Sequence, residues 1–184
     1  SRPASGGWRT LVGSHRHTRP GHSFAARSMA CFKRPVSVLV VIYTPTLDVL
    51  LLERSRHPGL WQSVTGSCEG DESLVHTARR EVSEETGIDS THHHLQDWRI
   101  TNTFELFPEW RHRYAPGVTR NAEHVFGLLL PARQAVTTAP GEHRDWTWMP
   151  WRQAAELCFS WSNRDAILML PDKVTPATWN VSGK

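Results

Sequence analysis

Cysteine is scarce, with Cys31, Cys68 and Cys158 the only three in 184 residues. An odd, widely scattered set excludes a disulfide framework and offers no zinc-ligand spacing, so reduced thiols and a cytoplasmic setting are expected. Long apolar runs are missing too. No stretch reaches the roughly 18 residues of a membrane span, and the leading segment lacks a signal-peptide core. Acid is absent from residues 1–28, which hold Arg2, Arg9, Arg16, Arg19 and Arg27. The chain has 21 Lys+Arg against 18 Asp+Glu; removing those five arginines leaves 16 against 18, a net charge of −2. The basic character therefore belongs to the leading segment. The remaining body gives no electrostatic reason to expect nucleic acid or a membrane as partner.

The length suits one domain with a single core. Residues 1–31, rich in Gly, Ser, Arg, Pro and His, are expected to be a disordered N-terminal extension. An extension upstream of a start at Met29 is preferred to a targeting segment. The folded body is expected over 32–171 and a tail over 172–184. Val36 to Tyr43 is an almost continuous β-branched and apolar run, which predicts a strand buried on both faces. Thr44 to Leu47 reads as a turn and Asp48 to Glu53 as a second strand. A short strand over Leu60–Thr65 should lead directly into Gly66. Leu95 to Phe107 predicts one or two strands, His124 to Leu130 another, and Trp146 to Met149 a short one. Helices are expected over Trp151–Phe159 and Ser162–Leu170, the latter capped by Ser162 or Asn163. His92, His93 and His94 fall in a polar linker and are read as solvated.

The most informative stretch runs from Gly66 to Ile88. An acidic, glycine-rich loop leads into a helix carrying Arg80, Glu81, Glu84 and Glu85. At roughly 100° per residue, Glu81 and Glu85 stand about 40° apart and Glu84 about 60° to the other side. Like charges at this spacing cost a few tenths of a kcal/mol per pair in an isolated helix. Adjacent glutamates alone would be an ordinary solvated face, but a cluster of hard oxygens also suits Mg²⁺, with Mn²⁺ as a substitute. Leu74, Ala78 and Val82 form the apolar stripe expected to seat the helix on the sheet, with its carboxylates facing out. Gly87 is the C-terminal stop. Glu81 and Glu85 are the expected metal ligands. Glu84 either shares a metal or accepts a proton from water, and Gly66 could add its backbone carbonyl. Arg80 can pair with Glu72 and fix the carboxylates in advance. The loop from Arg111 through Arg113 to Asn121 is dense in cations and reads equally well as a solvated basic loop or as a triphosphate clamp.

Five residues separate Gly66 from Glu72, and seven more separate Glu72 from Arg80-Glu81. Val82, Glu84-Glu85, Gly87 and Ile88 follow at fixed spacing. This pattern resembles the Nudix box. Lys33 to Ser37, Trp61 to Gly66, Arg111 to Asn121 and Ser160 to Arg164 extend the likeness to the bacterial dihydroneopterin triphosphate diphosphatase subgroup, over most of Phe32 to Pro171. The resemblance implies an α/β fold, a Nudix-type α/β/α sandwich around a mixed sheet. It also implies Mg²⁺-dependent release of pyrophosphate from dihydroneopterin triphosphate in folate synthesis. Under it, Glu81 and Glu85 match helix metal ligands and Glu142 matches a further ligand from a distant loop. Lys33, Arg54, Thr65, Phe104, Glu105, Leu106, Phe107 and Ser160 fall at substrate contacts. One departure concerns the box loop, where the glycine usually stands directly before the glutamate. Here Asp71 intervenes between Gly70 and Glu72, so Asp71 is expected to take positive φ.

Two other functions compete with this one. A broad nucleoside triphosphate pyrophosphatase would use the same box, because pterin and guanine share a pyrimidinone edge. A non-catalytic Nudix-fold binding module would have no metal requirement to hold Glu81, Glu84 and Glu85 together. Oligomeric state is left open, with a monomer preferred.

Overall fold

Strand β1, Val36–Tyr43, is the axis of the molecule and coincides with the predicted run. The computed structural model describes residues 32–174. The expected N-terminal extension and most of the expected tail lie outside them. β1 pairs in parallel with β6, Arg120–Leu129, along its whole length. Its other edge is shared by two antiparallel partners. β4, Val64–Ser67, takes the first half, from Ser37 to Val40, while β2, Asp48–Arg54, meets it at Tyr43. The sheet therefore forks at this edge. β2 continues outward to β3, Trp61–Gln62, and to β7, His143–Pro150. β5, His94–Glu105, closes the opposite side against β6. One parallel pair among antiparallel ones makes the sheet mixed.

Alternation along β1 explains its unbroken apolar character. Val38, Val40 and Ile42 point to one face, with Leu50, Leu52, Phe126 and Leu128, and are covered by Ala78, Val82 and Leu74 of α1, Leu74–Thr86. Leu39, Val41 and Tyr43 point to the other, beneath Ala154 and Ala155 of α2 (Trp151–Leu157) and Ala166 and Ile167 of α3 (Trp161–Leu168). A strand covered on both faces needs apolar residues at every position. Burying each such side chain contributes about 1.5–3 kcal/mol. A last turn, α4 (Leu170–Lys173), places Leu170 in the same layer. Asp172 and Lys173, expected in the tail, thus lie in a helical turn. No helix among the described residues is long and apolar enough to cross a membrane.

Several local readings change. The segment expected as one strand before Gly66 is broken at Ser63, because β3 pairs with β2 and β4 with β1. Asn163 of α3 holds the break, accepting from the Ser63 N–H at 2.7 Å and donating to its Oγ at 2.9 Å. The cap of α3 is Ser160, whose side chain accepts from the Asn163 N–H, and neither Ser162 nor Asn163 serves. Both are buried in the layer instead. The α1 helix begins at the Ser73 cap and ends at Gly87 in the left-handed conformation, as its sequence predicts. His92 closes a 3-10 turn and His94 opens β5; both are exposed.

Candidate metal and phosphate site

Glu81 lies against the backbone of Gly66, so closely that a Cβ there would fall inside its carboxyl group. The strand must be bare at this point for the helix to approach. This also overturns the expectation that the helix carboxylates all face out. Glu81 and Glu85 are buried, 8% and 3% exposed, and only Glu84 stands in solvent. Burial raises the Glu81 pKa to about 7; Arg80 opposes the shift and Glu85 adds to it. Burial raises Glu85 as well, against the pull of His143.

Arg80 organises the group. Its Nε and Nη2 grip both oxygens of Glu72 at 2.8 and 3.0 Å, and Nη1 reaches Glu81 at 2.8 Å and Glu84 at 3.1 Å. Nη2 also donates to the Ser67 carbonyl at 3.1 Å. The guanidinium holds Glu72 down at about 2, so that carboxylate stays ionised and the fork stays closed. The loop between Gly66 and the helix is pinned by Arg34, which donates to the carbonyls of Gly70 and Glu72 at 3.0 Å each. Positive φ falls on Gly70, at 46°, and not on Asp71. The glycine takes the left-handed position at no steric cost, and the extra residue is absorbed after it.

Glu142 arrives from the turn before β7. Ligand atoms of Glu85, Glu142 and His143 all lie within 4.8 Å of one another. His143 Nε2 is 3.0 Å from Glu85 Oε2, yet the two are not aligned for a hydrogen bond, and both atoms are buried without a partner. Buried, unpartnered oxygen and nitrogen donors beside repelling carboxylates with raised pKa values are the environment a divalent cation would relieve. The residues present fit such an ion. Sequence reasoning missed His143; its place next to Glu142 was the available signal.

The residues expected to contact substrate lie ahead of β1, on β2, β4 and β5, just after β5, and at the α3 cap. Lys33 bridges to Tyr114, and its N–H donates to the Arg113 carbonyl at 2.9 Å. Its pKa is lowered by burial and by the Arg113 charge, with Glu81 and Glu69 opposing. Arg54 lies opposite His143 in the β2–β7 ladder, its guanidinium 5.6 Å from the Phe159 ring centre. Thr65 Oγ1 accepts from Gln62 at 3.1 Å, and the Thr65 backbone lies beside Glu85. Phe104 and Glu105 end β5, Leu106 is buried, and Phe107 is exposed with its ring edge-on to Trp110 at 5.0 Å. The cationic loop is partly spent locally. Arg120 pairs with Glu105 at 2.6 Å, and Arg111 holds the Leu106 carbonyl at 3.1 Å with Glu105 at 3.6 Å. Ser160 has its hydroxyl engaged as the α3 cap.

Comparison with known proteins agrees with this geometry. The NUDIX domain model matches residues 33–170. The chain is 51% identical over 140 residues to the dihydroneopterin triphosphate diphosphatase of Escherichia coli, covering 74% of this chain and 91% of that protein. The Haemophilus influenzae protein of the same name is 40% identical over 142 residues, covering 76% and 89%. The solved structure of the E. coli dihydroneopterin triphosphate pyrophosphohydrolase superposes with a TM-score of 0.69 at 46% identity, covering 78% of this chain and 99% of that one. With the box, the sandwich and these likenesses in place, the chain belongs to the Nudix hydrolase family.

Proposed function

We propose that this protein hydrolyses dihydroneopterin triphosphate to dihydroneopterin monophosphate and pyrophosphate in folate synthesis. Mg²⁺ would be held by Glu81, Glu85 and Glu142. The observation that carries the substrate is the 51% identity to an E. coli diphosphatase of that name, across 91% of its length. The reaction class is supported by the buried carboxylates gathered against Gly66 and His143.

A divalent cation bound here neutralises phosphate oxygens and lowers the pKa of a coordinated water. The chain's own residues do the rest. Arg80 and Glu72 hold the helix carboxylates in place before substrate arrives, so little reorganisation is needed. Lys33 and Arg113 supply positive charge for a phosphate chain, and Arg54 supplies more from the end of β2. Glu84, whose side chain is 55% exposed and tied to Arg80 through one oxygen, is the helix carboxylate open to take a proton from water. Gly66 contributes by absence, leaving room for Glu81.

The test compares turnover of dihydroneopterin triphosphate with a panel of nucleoside triphosphates, with and without Mg²⁺. The expected result is a clear preference for the pterin and a strict need for the ion. Similar kcat/KM across the panel would replace this reading with that of a broad nucleoside triphosphate pyrophosphatase. No turnover of any triphosphate would point to the binding-module reading.

A further inference from the structure

The face of the sheet opposite α1 carries a feature that the metal site does not use. Glu123 of β6 is only 7% exposed, and its Oε1 is buried with no hydrogen-bond partner. In the register of the sheet it lies beside Asn102 of β5 and Ser37 of β1, and Ser37 lies beside Ser67 of β4. Side chains two apart share a face. Glu123 therefore points the same way as Val125, and Ser37 the same way as Leu39, into the layer beneath α2 and α3. A polar row crosses four strands where apolar residues would be expected. Asn121, two residues before Glu123, donates to the Ser37 hydroxyl at 2.7 Å. Phe104, opposite Asn121 on β5, is half-buried on the same face.

Burying a carboxylate with an unused oxygen is costly, and each such group in a folded protein calls for a reason. Burial raises the Glu123 pKa, while Ser162 of α3 and Asn102 pull it back down. These neighbours offset the burial only in part and leave Oε1 idle, so two N–H donors brought to the carboxylate would favour its ionised form. An ionised carboxylate only accepts, through two oxygens side by side. Its natural complement is a pair of adjacent N–H donors. The pyrimidinone edge of a pterin, with its ring N–H next to an exocyclic amino group, presents that pair, and so does guanine. Adenine and pyrimidine bases do not. The row also meets the metal side of the molecule at β4. Ser67 lies in it, while the neighbouring Gly66 faces Glu81. Asn163, in the same turn of α3 as Ser162, fastens that helix to Ser63 at the start of β4.

We propose that Glu123 is the specificity-determining residue of the enzyme, reading the amino–amide edge of the substrate's heterocycle while Phe104 packs against the ring. Asn102 and Ser162 position the carboxylate. This rests on the triphosphate hydrolase reading above and deepens it, by naming the part of the substrate that the α3 face selects. Adenosine triphosphate then fails because it offers no such edge, and inosine triphosphate because it lacks the amino group.

The test is the ratio of kcat/KM for guanosine triphosphate over inosine triphosphate, which differ only by that amino group. Wild type should favour guanosine by about tenfold or more, as expected when a buried acceptor loses a donor. In Glu123→Gln the ratio should collapse towards one. Ser162→Ala, which leaves the carboxylate in place, should lower the ratio less and provides the test if the Gln variant does not fold. A wild-type ratio near one, or a ratio unchanged in these variants, would overturn the proposal. A variant that is merely less stable lowers both rates together and leaves the ratio standing, so it counts against the proposal as well. The two readings fail separately. If dihydroneopterin triphosphate is no better than guanosine triphosphate but the ratio still collapses, the pterin assignment falls and that of Glu123 stands. If the pterin is preferred and the ratio never moves, the reverse holds.

Discussion

The two faces of the sheet obtain their polar groups in different ways. On the α1 face, Glu72, Arg80, Glu81, Glu84 and Gly66 come from one short stretch, and helix geometry alone brings most of them together. On the α3 face, Ser37, Asn102, Glu123 and Ser162 come from three strands and a helix start far apart in the chain, and only the sheet register assembles them. The first kind of site is written as a spacing. The second exists only once the fold does, and no spacing in the sequence links its members.

Disabling the α1 face alone should have the largest effect. Glu85→Gln removes a buried charged oxygen from the proposed metal site and should reduce pyrophosphate release by on the order of a thousandfold. The fold should be retained, as judged by an unchanged circular dichroism spectrum. Full activity in this variant would remove the helix from the mechanism.

Gly66→Ala should come next. The new methyl meets the far end of a flexible side chain rather than backbone, so Glu81 is displaced at little cost to stability, about 1 kcal/mol or less. Activity should nevertheless fall by about a hundredfold, because the displaced carboxylate is a proposed metal ligand. Parallel loss of stability and activity would mean that Gly66 serves the fold alone.

His143→Ala probes whether the β7 end joins the α1 face. Its effect should be seen as a metal affinity weakened by about tenfold to a hundredfold, measured by Mn²⁺ titration. Unchanged affinity would separate His143 from the ion.

Acidity gives a smaller and continuous readout. Glu81 has its folded pKa raised from 4.5 to about 7, and Glu85 is shifted the same way. Between these values the native state binds more protons than the unfolded one, so metal-free protein should lose stability as pH rises from about 4.5 to about 7. A divalent cation should flatten or reverse that slope, which thermal unfolding at several pH values would reveal. The α3 face offers the mildest perturbation. Ser160→Ala removes a helix cap and should cost about 1 kcal/mol in denaturant unfolding.

Much of the fold could be read from the chain. β1 was legible because a strand buried on both faces must be apolar throughout, and α1 because its cap, stripe and Gly87 stop are all local. The orientation of Glu81 and Glu85 was not legible. It depends on how closely the helix can approach β4, which is decided by a glycine on another element. The break at Ser63 was hidden for the same reason, since a change of pairing partner leaves no mark on periodicity. Glu142 came from family resemblance and His143 from neither source; the two become one cluster with Glu85 only when β7 pairs with β2. Glu123 sat in a strand that the apolar pattern dated only from His124, so its burial could not be read.

The fork at the β1 edge has a consequence for how such an enzyme can change. Because the pairing partner changes from β2 to β1 at Ser63, β4 shows Gly66 to one layer and Thr65 and Ser67 to the other. The catalytic box and the helix of the opposite layer thus meet along a seam of a few residues and are otherwise separate modules. A lineage can rebuild α3 and the ends of β5 and β6 without disturbing Arg80 and its carboxylates. Grafting those three pieces from a relative of different preference onto this chain should therefore carry the preference with them and leave the hydrolytic engine intact.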